Sequence, residues 1–322
     1  MNQRRPTVIE PDSRNGDSLD EHGPESGGAS ELFSEARSAE VVAASFANTT
    51  DPRLRTIMVS LVKHLHDFIK DVELTEAEWA KAIEFLTATG KMCTDTRQEF
   101  ILLSDVLGAS MLVETINNRA HGTLTESTVE GPFHMVASPQ RELGANIAED
   151  GKGEPCLVTG TVTGPDGVPV PGARVDVWQA NAEGFYDVQQ PDVQPELNLR
   201  GLFTANDEGR FWFRTIVPRF YPIPVDGPVG GLLQATSRHP NRPAHMHFEV
   251  TAPGMRKLTT HLFVDGTPYI DSDAVFGVKP SLVREFRTVD DPERAAEVGL
   301  PNPFRTVHFD VGLRADADDR EA

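Results

Sequence analysis

Arg242-Pro243-Ala244-His245-Met246-His247 sets two histidines two residues apart, the spacing that lets a strand present both rings on one face. At about 3.3 Å of rise per residue they stand roughly 6.6 Å apart, close enough for both imidazoles to converge on one ion. The chain has only three tyrosines, and two of them precede the pair in loop-like settings. Tyr186 ends Trp178-Gln179-Ala180-Asn181-Ala182-Glu183-Gly184-Phe185-Tyr186, where a strand gives way to a glycine-bearing loop. Tyr221 lies in the proline-stiffened Val217-Pro218-Arg219-Phe220-Tyr221-Pro222-Ile223-Pro224. A hard, highly charged ferric ion lowers a phenol pKa enough to bind the phenolate. Two imidazoles and two phenolates therefore describe a ferric site, the phenolates offsetting part of the ion's charge. Tyr269 reads as an ordinary packed aromatic.

Other chemistries start from the same pair. A His-x-His on a strand is more often a packed or exposed pair than a metal site. Glu249, on the same face, offers a two-histidine, one-carboxylate ferrous site. It stands roughly 13 Å from His245 along a straight strand, which makes it a supporting or surface residue instead. A reading from another class is a non-catalytic β-sandwich binding module holding structural zinc. Zinc has little need of two phenolates, and its structural sites use Cys and His.

The elements that must position these residues change character along the chain. Met1 to about Glu35 is rich in Pro, Gly, Ser and charge, so residues 1–35 are expected to be a disordered acidic tail. Residues 36–121 read as a helical N-terminal domain. Leu54, Ile57, Met58, Leu61, Val62, Leu65 and Phe68 lay an apolar stripe on one helix. Thr75-Glu76-Ala77-Glu78 resembles a capping box, and Trp79, Ile83 and Leu86 continue a second helix to a stop at Gly90. A third helix is expected from Asp95 into Leu112 and Thr115. The stripes serve either an ordinary core or a dimerisation face. From Gly122 onward, segments 156–163, 173–178, 210–216, 244–251 and 305–311 read as strands, with Pro165-Asp166-Gly167 and Asp207-Glu208-Gly209 as turns. Short strands without intervening helices argue for a sandwich or barrel. The fold class is α+β: a helical N-terminal domain followed by a β-sandwich catalytic domain over 122–322.

Composition narrows the function. A formal net charge of -19 opposes attraction to nucleic acid or anionic lipid. No apolar run approaches the roughly 20 residues that cross a bilayer, and Met1 to Asp12 lacks a signal-peptide core, so the expected compartment is the cytoplasm. Cys93 and Cys156 have neither disulfide-framework nor zinc-thiolate spacing.

Taken together, the residues resemble the intradiol ring-cleaving catechol dioxygenases. The resemblance runs from about Asp51 to Leu313. It rests, in family order, on Gly122 to Phe133 with Thr125-Glu126-Ser127-Thr128, on Trp178 to Tyr186, on Asp226-Gly227-Pro228, on Arg238-His239, on Arg242 to His247 and on Thr259-Thr260. It implies Tyr186, Tyr221, His245 and His247 as ligands of one non-haem Fe(III) per subunit. It further implies Arg242 as a catalytic residue beside the substrate and Tyr221 as the tyrosine that leaves and takes a proton. Around the ring it places Leu102, Asp105, Val129, Gly131, Phe133, Ile223, Pro224, Arg242 and Val275.

Residues 221–230 and Leu258-Thr259-Thr260-His261 resemble the branch that cleaves hydroxyquinol (benzene-1,2,4-triol) with O2 to 3-hydroxy-cis,cis-muconate, the enol form of maleylacetate, and residues 271–279 resemble hydroxyquinol and chlorocatechol enzymes alike. Catechol or chlorocatechol cleavage is the alternative, and catechol-type members tend to have glutamine where His261 stands. A carboxylate at Asp105 would accept a hydrogen bond from a third ring hydroxyl, as an apolar side chain cannot. Without the resemblance, Asp105 reads as a surface aspartate on its helix. Glu130 and His134 depart from the family pattern. The resemblance also implies a homodimer through the N-terminal helices, with a phospholipid held at the interface in some members.

Overall fold

The computed structural model describes residues 32–95, 97–119, 122–131, 133 and 137–316. Most of the expected tail, residues 1–31, and His134 lie outside the described residues. The chain divides into two compact units, 1–81 and 82–322.

In the first unit, α1 (Ser38–Ala44) packs on α2 (Pro52–Asp71). Asp51 starts α2 by accepting from the N–H groups of Arg53 and Leu54 at 2.8 and 3.2 Å. Pro52 follows at the first helical position, where a missing N–H costs nothing. The expected capping box opens α3 (Glu76–Met92). Glu78 accepts from the Thr75 N–H at 3.0 Å, and Thr75 Oγ1 accepts from the Glu78 N–H at 3.3 Å. Gly90 does not end this helix, which runs two residues further. The α2 stripe is not ordinary core, since Leu54, Leu61 and Phe68 are 48%, 54% and 52% exposed.

The second unit corrects the third helix. It is two helices, α4 (Glu99–Val106) and α5 (Ala109–Asn117), because Gly108 between them takes a left-handed φ of 72°. The apolar period continues across the break, so periodicity alone joins them.

The strands that follow are β1 (Pro155–Thr163), β2 (Arg174–Gln179), β3 (Arg200–Thr204), β4 (Arg210–Ile216), β5 (Tyr221–Pro222) and β6 (Asn241–Arg242). After them come β7 (His245–Thr251), β8 (Leu258–Val264), β9 (Val283–Arg284), β10 (Arg287–Val289), β11 (Phe304–His308) and β12 (Val311–Gly312). One sheet runs β10-β11-β1-β12 with β4 also on β1, the other β3-β2-β7-β8-β9, and β5 pairs with β6 apart from both. Val158, Phe213 and Val307 of the first sheet share one buried cluster with Val175, Phe248 and Leu262 of the second, so the two face each other as a sandwich. On β7 the inward set is Met246, Phe248 and Val250. Alternation therefore turns His245, His247 and Glu249 to the opposite face.

Two helices interrupt the strands, against expectation: α6 (Pro228–Ala235) and α7 (Pro292–Val298). Both are too short to display a helical period. The expected 305–311 strand also breaks, because Asp310 turns its carboxylate to the Thr161 N–H at 2.9 Å between β11 and β12. No helix among the described residues is long and apolar enough to cross a membrane.

Candidate metal centre

His245 and His247 are each 1% exposed on the outer face of β7, where two loops and a short ladder cover them. The chain leaving β2 turns at Gly184 and delivers Tyr186. The β5–β6 ladder pairs Tyr221 with Arg242. These two segments approach closely. A Cβ on Gly184, whose φ is 88°, would lie 2.8 Å from the Phe220 carbonyl oxygen, so only glycine lets them meet.

Tyr186 is fixed from several sides. Its neighbour Asp187 is buried against Arg200 of β3, with Nη2 to Oδ1 at 2.6 Å, and the same Nη2 donates to the Phe133 carbonyl at 2.9 Å. Phe133 stacks on the Tyr186 ring with centroids 4.4 Å apart.

The four side chains point their donor atoms at one another. The Tyr186 and Tyr221 hydroxyls are 3.2 Å apart, and the His245 and His247 Nε2 atoms 3.1 Å. Tyr186 is 2.9 Å from His247 Nε2, and Tyr221 is 3.3 Å from His245 Nε2. Ligand atoms bound about 2.0–2.1 Å from a common ion sit roughly 2.8–3.4 Å from each other. The quartet has that spacing, and its hard oxygens and imidazole nitrogens suit a transition-metal ion.

Neighbours set the imidazole tautomers. His245 Nδ1 lies 2.7 Å from the Pro243 carbonyl, so it carries the hydrogen and leaves Nε2 with a lone pair for the centre. His247 Nδ1 lies 2.8 Å from Nε2 of His261, its directly opposed residue on β8. For His247 Nε2 to face the centre with a lone pair, Nδ1 must donate to His261. Trp178 stacks on the His247 ring, centroids 4.8 Å apart, and fixes its plane. His245, His247 and His261 also form a cluster with potential ligand atoms within 4.8 Å. The His261 contact to the outer nitrogen of His247 makes it a partner of that imidazole rather than a further member of the quartet.

Arg242 is 3% exposed, with Nη1 3.3 Å from His245 Nε2. Asp273 receives its Nε and Nη2 at 3.2 and 3.3 Å, and also the N–H groups of Val275 and Gly277. Glu249 points elsewhere, to Lys257 Nζ at 2.7 Å. Sequence spacing missed the roles of Asp273, Asp187, Arg200 and His261. No local period links Asp273 to Arg242 across 31 residues.

Of the expected ring-facing residues, Leu102, Asp105, Val129 and Gly131 line one cavity of about 930 Å³. Gly131 joins it to the donor quartet, since a Cβ there would lie 3.2 Å from His247 Cε1. Ile223 and Val275 pack in a cluster with Leu103 and Val106 of α4, with Leu102 against it. Pro224 is half-buried beside Ile223, and Phe133 sits on Tyr186. Asp105 is not a surface residue: it is 7% exposed.

Burial dominates the electrostatics. It raises the Tyr186 phenol well above its ordinary range, with Tyr221 adding to the effect. It also raises Tyr221, against the lowering influence of Arg242. Burial raises the Asp105 carboxyl too, partly opposed by Ser110. Burial opposes the charge of Arg242, but Asp273 and the two tyrosines outweigh it and the guanidinium stays protonated. His245 is pushed well below its ordinary range by burial and then by Arg242, and His261 by burial and then by His247.

Residues 129–315 match the family described as Dioxygenase, and residues 51–124 the one described as Catechol dioxygenase N terminus. A hydroxyquinol 1,2-dioxygenase from a Rhizobium species is 55% identical over 87% of this chain and 96% of its own. A 6-chlorohydroxyquinol 1,2-dioxygenase from Cupriavidus pinatubonensis is 55% identical over 77% of this chain and 89% of its own. The solved structure of a hydroxyquinol 1,2-dioxygenase from Pseudomonas putida matches with a TM-score of 0.81 and 48% identity, covering 88% of this chain and 99% of that one.

The depressed histidines give the metal-free protein a pH dependence. Above the ordinary histidine value of 6.5 they are neutral in both folded and unfolded chain. As pH falls below it, the unfolded chain takes up protons first, so stability is lost at up to about 1.4 kcal/mol per pH unit for each of His245 and His261. Denaturant unfolding of metal-free protein between pH 7.5 and 5 measures this slope. His261→Gln, which keeps an acceptor for His247, is expected to flatten it; an unchanged slope would remove His261 from the effect.

Proposed function

The chain belongs to the intradiol ring-cleaving dioxygenases, and from that premise we propose that it cleaves hydroxyquinol between its adjacent hydroxyls with O2, giving 3-hydroxy-cis,cis-muconate. The observation that carries this reading is the convergence of the Tyr186 and Tyr221 oxygens with the His245 and His247 nitrogens on one buried point. We assign these four as ligands of one non-haem Fe(III) per subunit. Structural zinc in a non-catalytic module is disfavoured, because its relatives are enzymes and two phenols answer no need of zinc.

When bound, ferric iron supplies a Lewis-acidic, electron-accepting centre that makes a chelated catecholate reactive toward O2. Arg242, held by Asp273, puts a fixed positive charge beside the quartet, where it stabilises negative charge growing on the ring oxygens. Tyr221 Oη is the group we assign to take the proton of an incoming hydroxyl, since burial there favours the neutral phenol. Leu102, Val129, Gly131, Phe133, Ile223, Pro224 and Val275 supply the mostly apolar surroundings of the ring. Asp105 is the exception among them. Its Oδ1 has no hydrogen-bond partner among the described residues, which supports a role as acceptor for the third hydroxyl. Catechol and chlorocatechols, which lack that hydroxyl, are the alternative substrates.

We further propose a homodimer formed through the N-terminal helices, supported by the exposed apolar stripe on α2, with a phospholipid as an added occupant of that face. Two unpaired cysteines, Cys93 and Cys156, suit the reducing cytoplasm.

Iron-loaded protein is expected to be wine-red from phenolate-to-iron charge transfer. Tyr186→Phe and Tyr221→Phe are each expected to shift or weaken the visible band, and unchanged spectra for both would remove them from the ligand set. Asp105→Ala is expected to lower kcat/KM for benzene-1,2,4-triol about tenfold more than for catechol, the size of one lost hydrogen bond to a charged group. Equal losses on the two substrates would make Asp105 structural.

A further inference from the structure

Three charged side chains meet where α4 begins and the Tyr221 loop ends. Arg97 donates to both oxygens of Asp226, Nη1 at 2.8 Å and Nη2 at 2.9 Å. Through Nε and Nη2 it also donates to Glu99 Oε2, at 3.1 and 2.9 Å. Glu99 is 1% exposed, and its other oxygen accepts the Val229 N–H in the first turn of α6 at 3.2 Å. The fit leaves no room for a side chain on Gly227, whose Cβ would lie 2.3 Å from Glu99 Oε1.

The junction joins the two sides of the proposed ring site. Glu99 is the first residue of α4, which carries Leu102 and Asp105 one and two turns on. Asp226 closes the segment that begins with Tyr221 and carries Ile223 and Pro224. Between them the packing is apolar, Leu103 and Val106 against Ile223 and Val229, and such contacts resist separation more than sliding. A paired guanidinium and two carboxylates add the direction that apolar contact lacks. Stability alone is a poor reason for the arrangement, since a buried ion pair is often replaceable by apolar packing without loss.

We propose that Arg97, Glu99 and Asp226 are positioning residues that set the spacing between the α4 side and the Tyr221–Pro224 side of the ring site, and through it select among substituted catechols. This rests on the ring-cleavage reading above. Loosening the junction lets the site accept bulkier rings and hold the small triol less well.

The test is anaerobic titration of iron-loaded protein with benzene-1,2,4-triol and with 4-tert-butylcatechol, reading Kd from the visible band. Asp226→Ala and Glu99→Gln are each expected to narrow the preference for the triol by about fivefold or more, the scale of coupling through packed elements. Asp226→Glu is expected to restore it. Asp226, 65% exposed at its side chain, is removable with little effect on folding, so it decides the matter if Glu99→Gln proves unstable. An unchanged ratio in folded Asp226→Ala, or equal weakening of both ligands, would overturn the proposal. Wild-type protein that binds neither diol would instead overturn the ring-cleavage reading, and the inference with it.

Discussion

Four lone-pair-bearing atoms lie within 3.3 Å of their neighbours in a site almost closed to water. Burial strips hydration from anything charged there, so the two phenols and His245 are held neutral and ionised phenolates need a cation beside them. A highly charged ion reverses that balance. On the proposed reading, metal uptake and the loss of two phenolic protons are one event, and affinity falls as pH falls.

The quartet is held in place by groups outside it. His245 and His247 are fixed by the sandwich itself, on a central strand whose opposite face is core. The tyrosines come from connections, which need other anchors. Tyr186 has the buried Asp187–Arg200 pair and the Phe133 ring. Tyr221 has the two-residue ladder with Arg242. Asp273 then fixes Arg242 from a distant loop, so a short edge ladder and a single carboxylate settle both a candidate ligand and a candidate catalytic charge.

The sequence made the histidine pair and the helix α2 stripe legible because both depend on local periods. Tyr186 and Tyr221 were legible by residue type and rarity. Gly108, by contrast, splits α4 from α5 through a backbone angle that apolar spacing does not encode. Asp273 meets Arg242 from 31 residues away, and the Asp187–Arg200 pair joins a short turn of helix to a strand across 13 residues, so neither follows a helix or strand period. Asp105 shows the same limit: on its own helix it looks like a solvated carboxylate, and only the elements folded over it bury it. His261 was visible as a residue that differs between branches, but its role required the β7–β8 register that sets it opposite His247.

Charge balance gives a reason for one tyrosine to accept a proton. On the proposed reading, a ferric ion and Arg242 would stand against Asp273 and two phenolates with one net positive charge, which a doubly ionised diol would turn to one negative. Protonating one phenolate restores neutrality, which a low-dielectric interior favours. Basicity does not separate the two, since burial raises both phenols and Arg242 lowers both. Freedom does. Tyr186 is pinned by a stacked ring and by its neighbour's ion pair, whereas Tyr221 meets Phe133 edge-on at 6.1 Å and precedes the exposed Pro222. On the proposed reading, a phenol that takes a proton would also move aside for the incoming oxygen, and the restraints on Tyr186 would make that motion costlier for it. On that reading, Tyr221 is the residue whose restraint matches the task.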